Sequence, residues 1–275
     1  MTARIQSKVY RFAVYVGAFF SMAVLVLIVG YILIKGIPHL SPELFAWEYN
    51  SNNVSMMPSI INTFLMTMMS LIVCVPLGIG AAIYLTEYAK RGSMLVKLVR
   101  MTAETLSGIP SIIYGLFGSL FFVVALKMGL SLLSGALTLS IMVLPTIMRT
   151  TEEALLAVPD SYREGSFGLG AGRLRTTFKV VLPSAVPGIL SGVILAVGRI
   201  VGETAALIYT AGTVAKVPDS VLDSTRTLAV HMYTISTEGL YINQSYATAV
   251  VLLGVVLSIN AFSSFIAKRI GRSHT

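Results

Sequence analysis

Six apolar stretches of roughly 20 residues, each long enough to cross a hydrocarbon layer of about 30 Å, run through this 275-residue chain at Phe12–Ile34, Ser59–Tyr84, Ile109–Leu126, Leu132–Met148, Gly188–Tyr209 and Tyr246–Ala267. In lipid every backbone N–H and C=O must be satisfied without water, which leaves helices as the solution for segments of this length. With 55% hydrophobic and 12% charged residues, the composition is too apolar for an ordinary soluble domain. The first stretch is too long for a signal-peptide core and has no small-residue cleavage site before Lys35, so it reads as a retained helix. The expectation is an all-α membrane protein with six transmembrane helices.

Orientation follows from the basic residues, which are held on the cytoplasmic side. With the N-terminus inside, the inner segments carry Arg4, Lys8, Arg11, Lys90, Arg91, Lys97, Arg100, Arg149, Arg163, Arg173, Arg175, Lys179, Lys268, Arg269 and Arg272, against Lys35, Lys127, Lys216 and Arg226 outside. Both termini are therefore expected in the cytoplasm. This bias accounts for the net charge of +8, so membrane lipid, and no nucleic acid, is the partner that the charge implies. Cys74 reads as a small packing residue. His39, His231 and His274 lack the spacing of metal ligands, and no metal is expected.

Residues 1–58 read as a cytoplasmic N-terminus, a first helix and an outer loop whose Trp47 and Tyr49 suit a membrane interface. Residues 59–275 read as a core of five helices, linked inside by a basic segment, Glu87–Gly108, and by a loop at about 149–187. The outer segment Ala211–Ser245 contains an amphipathic stretch, Thr225–Tyr233, which can dip back toward the membrane. Small residues four apart, at Gly78/Ala82, Gly188/Gly192 and Gly198/Gly202, mark faces where helices can approach closely. Pro76, Pro110 and Pro145 interrupt or start helices.

In the inner loop, Ser161-Tyr162-Arg163-Glu164 has the form of a capping box, with Ser161 as N-cap and Glu164 reaching back. This predicts a short helix from near Tyr162, a turn using positive φ among Gly168, Gly170 and Gly172, and a second helix from about Arg173 to Leu182, stopped by Pro183. Leu174, Phe178 and Val181 would then share a stripe. On these grounds alone the loop is either a docking element or a self-satisfied connector in which Glu164 is only a cap.

Arg199 and Glu203 stand within the fifth apolar stretch, roughly eleven residues from its start and so near the bilayer centre. An ionised side chain there costs about 2.5–3.5 kcal/mol on insertion scales and must face protein or water. One turn apart, the two either neutralise each other as a packing ion pair or form an anion relay, in which the guanidinium fork binds a tetrahedral oxyanion and Glu203 keeps that binding weak.

Glu164-Gly165-Ser166, Gly170, Val180, Leu182 and Pro183 fit the E-A-A-x(3)-G-x(9)-I-x-L-P pattern, and on these residues the chain resembles the permeases of ABC importers. Gly165, Ser166 and Val180 depart from the usual Ala, Ala and Ile by small changes. The segments Gly198–Ala206 (GRIVGETAA), Ile109–Gly118 (IPSIIYGLFG) and Arg226–Tyr233 (RTLAVHMY) are similar to the phosphate-specific permeases, of the PstA type, from about Tyr10 to Arg269. The resemblance implies a type I importer permease with one peripheral helix and a five-helix core, in a bacterial plasma membrane. It implies that Glu164, Gly165, Ser166, Gly170, Leu182 and Pro183 couple to an ATPase, and that Arg199 and Glu203 line the phosphate path. Arg226 would meet the entering anion or the binding protein at the outer end, unless it is a surface arginine capping a loop. The partners implied are a homologous PstC-type permease, a PstB-type ATPase dimer and a PstS-type phosphate-binding protein.

No G-x(4)-G-K-[ST] loop is present, so ATP and Mg are expected on the partner ATPase, with no cofactor on this chain. No nucleophile or paired carboxylates point to an enzyme, and no catalytic residue is assigned. Sulfate and molybdate remain alternative cargoes, because an arginine does not choose between tetrahedral anions. An ion-coupled secondary carrier is the more distant alternative; such a carrier should contain broken helices and an inverted repeat, and the sequence reading finds neither.

Overall fold

The computed structural model describes residues 2–90 and 92–272; Arg91 and His274 lie outside them. Its helices are α1 (Thr2–Gly36), α2 (Met57–Ile83, continued by a π-helical turn, Tyr84–Tyr88), α3 (Met94–Ser107), α4 (Ser111–Gly118, continued by a π-helical turn, Ser119–Ala125), α5 (Leu132–Leu156), α6 (Asp160–Gly168), α7 (Arg173–Val201), α8 (Ala205–Thr210), α9 (Leu228–Thr237) and α10 (Ile242–Arg272). No β-strand occurs among the described residues.

Five helices, α1, α2, α5, α7 and α10, are each long and apolar enough to cross a membrane. The third expected span differs. It passes the same test only together with α3, and the pair is bent by 103°. Pro110 N-caps α4 at the bend, where its missing N–H cannot continue the helix before it. The segment Glu87–Gly108, expected as a plain connector, contains α3. Met94, Leu98 and Met101 make an exposed apolar stripe at i, i+4 and i+7, while Val96 turns into the bundle. With Lys97 and Arg100 beside that stripe, α3 has the make-up of a helix lying in the headgroup boundary.

α5 occupies the middle of the bundle, between α2 and α7. Close approach depends on missing side chains. A Cβ at Gly78 would collide with Ile147, one at Gly188 with Ala154 and one at Gly192 with Thr150. The third small-residue pair behaves otherwise, because Gly198 has open space beside it and Gly202 lies at a helix end. The core that results joins Met66, Cys74, Leu139, Met142, Val143, Ile147, Ile200 and Leu207. A second cluster at the inner end joins Ala82, Val96, Leu155, Val158, Val181 and Ile189. α1 rests on α10, with Gly36 against the Tyr246 carbonyl and the Tyr31 and Tyr246 rings edge to face at 5.9 Å. Many of its other apolar side chains, among them Phe19, Phe20 and Leu27, are exposed, as expected for a helix facing lipid.

Pro183 does not stop the second loop helix. Arg173–Val201 is one helix, because a π-helical turn at Thr177–Val181 changes the hydrogen-bond register just ahead of the proline. The Leu182 N–H bonds to Thr177 O, five residues back, so the proline enters at the start of the following α-helical stretch, where its missing N–H is tolerated. The same turn splits the expected apolar stripe: Leu174 and Phe178 are exposed while Val181 is fully buried.

Candidate functional site

The inner loop forms a hairpin of α6 and the first turns of α7. α6 begins at Asp160, two residues before the expected start, with Pro159 as N-cap and no side-chain cap. The Ser161–Glu164 capping box is therefore not made. Pro159 presets the entry to the helix and the Asp160 carboxylate complements its N-terminal dipole, which leaves Glu164 exposed and outside the cap.

α6 ends in a Schellman motif. Ala171 N–H donates to Ser166 O at 3.1 Å and Gly170 N–H to Phe167 O at 2.9 Å, with Gly170 at φ +83°. That backbone conformation is the physical reason for glycine at 170, whereas Gly172 is extended at φ −75°. Ser166 Oγ lies 2.8 Å from Thr176 Oγ1, pinning the two arms of the hairpin. Tyr162, Phe167, Leu169, Leu174 and Phe178 are exposed around it, and Leu169 at the tip is 91% exposed. Of the remaining expected coupling residues, Gly165 is exposed on α6, and Leu182 and Pro183 are half-buried inside α7.

Arg199 and Glu203 are not an ion pair. Arg199 lies in the last turn of α7, where the negative end of the helix dipole favours a cation, and α7 stops at Val201. Glu203 is 8% exposed in the break that follows, and its Oε1 accepts from Ala206 N–H at 3.1 Å, capping α8. The fifth apolar stretch is thus broken at residues 202–204, and Arg199 stands at a helix end rather than in mid-helix. Half-buried, it has no hydrogen-bonded or ion-paired side-chain partner among the described residues. The start of α8, just after the break, packs against α4, since a Cβ at Gly115 would collide with the Ala206 backbone. Two of the segments that carry the phosphate-permease resemblance therefore touch.

Arg226 is not a surface arginine. It is 5% exposed, beneath the outer loop, with its Cζ 4.6 Å from the centre of the Tyr49 ring. Nη1 donates to Thr234 Oγ1 at 3.3 Å, and its carbonyl accepts from Asn62 Nδ2 at the outer end of α2. Burial holds its pKa below the ordinary arginine value, and Tyr49 offsets only part of that. The expected amphipathic stretch, Thr225–Tyr233, belongs to a closed outer cap: Leu228, Ala229, Val230 and His231 are all buried. Leu228 N–H donates to Thr63 Oγ1 at 2.8 Å.

The family model for binding-protein-dependent transport system inner membrane components matches residues 74–273. The chain belongs to that family. Among similar curated proteins, it is 34% identical over 233 residues to the probable ABC transporter permease protein YqgI of Bacillus subtilis, covering 79% of each chain. It is 36% identical over 210 residues to the phosphate transport system permease protein PstA of Pasteurella multocida, covering 76% of this chain and 74% of that one. A chain in the crystal structure of a bacterial alginate ABC transporter, in complex with an alginate pentasaccharide-bound periplasmic protein, superposes with a TM-score of 0.68 at 16% identity, over 96% of this chain and 97% of that one.

As a member of the family the chain is a multi-pass inner-membrane permease subunit of an ABC importer. Its helix breaks at 108–110 and 202–204 are of the kind by which a secondary carrier was to be told apart, so helix continuity does not separate the two classes; family membership does. The sequence reading missed three side chains that the permease fold uses. Arg163, read as an inner basic residue within the Ser161–Glu164 stretch, and Glu87, named only as the start of the basic segment, are paired at 2.8 Å. His231 is fully buried, edge to face with Tyr49 at a ring separation of 6.1 Å. Nothing local flags His231, because its burial comes from the distant outer loop.

Burial, and then the Arg226 charge, hold His231 down to a pKa of about 3. The folded chain therefore takes up no proton here until about pH 3, while the unfolded chain takes one up near 6.5. Stability from this residue is complete above about pH 6.5 and is lost as the pH falls toward 3, by about 1.4 kcal/mol per unit. The unfolding temperature of the purified chain in detergent should accordingly fall between pH 6.5 and 5.5, and His231→Phe should flatten that slope. An equal slope in both proteins would contradict this role.

Proposed function

We propose that this chain is the membrane-spanning permease subunit of an ATP-driven importer of inorganic phosphate. It contributes half of the pathway, beside a homologous PstC-type permease. A PstB-type ATPase dimer, holding ATP and Mg, docks on the α6–α7 hairpin, and a PstS-type protein delivers phosphate to the outer cap. The chain itself carries out no catalysis.

The observation that carries the docking assignment is the hairpin, whose glycine-locked tip presents Leu169, Tyr162 and Phe167 on the inner, basic face of the bundle. Its second arm is continuous with α7, so Arg173 and Arg199 are 26 residues apart on one helix, about 39 Å at 1.5 Å per residue. A movement of the hairpin is thereby transmitted to the turn that bears Arg199. The substrate assignment rests on the phosphate permeases among the relatives and on the unpartnered Arg199 guanidinium, a planar fork suited to an oxyanion. Glu164, Gly165, Ser166, Gly170, Leu182 and Pro183 act in docking as the motif match implies, and the resemblance to phosphate permeases gives Glu203 a place in the path and Arg226 one at its outer end.

Uptake of labelled phosphate, in cells lacking their own phosphate permeases and given this chain with its partners, tests the reading. Uptake that survives excess sulfate is expected. Uptake of sulfate or molybdate in its place would overturn the phosphate assignment.

A further inference from the structure

The hairpin's hold on the bundle is unusual in that α6 buries none of its residues. Apolar burial therefore does not attach α6 to the membrane helices. Arg163 does so instead. Its Nη2 donates to Glu87 Oε1 at 2.8 Å, and its Nε donates to the same oxygen at 3.2 Å and to Oε2 at 3.4 Å, a charge-assisted contact made chiefly through one carboxylate oxygen. Nη2 also donates to Leu155 O and Nη1 to Val158 O, both at 2.9 Å, and Nη1 reaches Asp160 Oδ1 at 3.2 Å. One guanidinium thus joins three elements: Glu87 in the π-helical turn that ends α2, the carbonyls at the C-terminal end of α5, and α6 itself. The pair is shielded, with side-chain exposures of 15% for Arg163 and 9% for Glu87, so solvent screens it little. Glu87 in turn holds the Arg163 pKa above its ordinary value.

We propose that Arg163 and Glu87 are positioning residues that make α6, the inner end of α2 and the end of α5 move as one body, so that ATPase-driven displacement of the hairpin reaches α2 and α5 directly. This rests on the docking role given to the hairpin above. Without the tie, α6 would be joined to the rest of the chain through Pro159, the Gly170 turn and the Ser166–Thr176 hydroxyl contact with α7, with no side-chain tie to α2 or α5, and the stroke toward those helices would be taken up by bending at Pro159. α7 would still be pulled, since it is continuous with the hairpin, while α2 would not follow. The tie is therefore a device for coupling rather than for docking, because the exposed residues of the hairpin make no use of it.

The test uses the complete importer, this chain with its partner permease, ATPase and binding protein, carrying Glu87→Gln or Arg163→Lys. Each variant should retain the ATPase on copurification and hydrolyse ATP, yet move about tenfold less phosphate per ATP hydrolysed, the scale of losing a charge-assisted pair. Glu87→Asp, which keeps the carboxylate, should recover part of the ratio. A second measurement does not depend on the substrate: the distance between spin labels at Ser161→Cys and Lys90→Cys should stay fixed between nucleotide-free and ATP-bound states, and should change in the Glu87→Gln background. An unaltered transport ratio in both variants, a label distance that changes equally with and without Glu87, or loss of the ATPase in step with transport would overturn the proposal. A parent complex that hydrolyses ATP without moving phosphate would instead count against the substrate reading, and the label distances would then decide the tie alone.

Discussion

Arg199→Ala is expected to lower phosphate uptake by well over tenfold, about the 1.4 kcal/mol or more that a charge-assisted anion contact is worth, while the importer still assembles. An arginine one turn from a glutamate inside an apolar stretch reads as an ion pair, whose loss would strand a buried carboxylate and cost several kcal/mol of stability. The structure removes that objection. Glu203 has its own partner in the Ala206 N–H, and Arg199 is held at the C-terminal end of α7 by the helix dipole. Truncating Arg199 therefore leaves no partner unsatisfied, and the helix loses only a favourable terminal charge of about 0.3–1 kcal/mol. Arg199→Lys keeps the charge and loses the planar fork, so its uptake should fall between the two. Assembly yield and uptake are read on the same preparation. Failure of Arg199→Ala to assemble would return the residue to a packing role, and retained uptake would remove it from the path.

Glu164→Lys is the second large effect, and it falls on the other side of the membrane. Because Glu164 is exposed and takes no part in the cap of α6, reversing its charge should change the thermal stability of the isolated chain by less than about 0.5 kcal/mol. It stands beside the exposed apolar side chains of a hairpin that already carries Arg173, Arg175 and Lys179. The added positive charge should expel the ATPase from the purified complex and lower uptake at least about tenfold, the scale set when a partner's complementary charge is met by repulsion. Gly170→Val separates shape from charge. It forces a β-branched residue into a left-handed conformation, so the ATPase should be lost through a disordered tip while Glu164 stays in place. Normal copurification of the ATPase with Glu164→Lys would argue against docking through this face.

What could be read from the sequence divides along the range of the interactions involved. The spans were legible because a run of apolar residues is a local signal whose meaning in lipid is nearly unique. α3 was missed because its charges dominated the composition of Glu87–Gly108, although Met94, Leu98 and Met101 held the helical period throughout. The length of α7 was misjudged because Pro183 is a reliable helix breaker in an α-helical register, and nothing in Thr177–Val181 announced a π-helical turn. The break after Arg199 was readable in principle: Gly202 is a stop signal, and Glu203 followed by Thr204 resembles a helix start. The i, i+4 charge spacing outweighed both. Arg226 and His231 lay beyond any local reading, since Tyr49 and Asn62 contact them, and Thr63 holds the neighbouring Leu228 N–H, from more than 150 residues away. The glycine of the hairpin was the reverse case, where the pattern demanded glycine and the Schellman geometry supplied the reason.

The central claim, that ATP hydrolysis acts through this chain to move phosphate, is tested most directly in liposomes that contain the chain, its partner permease, the ATPase and the binding protein. ATP hydrolysis should rise on adding phosphate with its binding protein, and should not rise with sulfate. Equal stimulation by sulfate, or hydrolysis indifferent to both anions, would contradict the account.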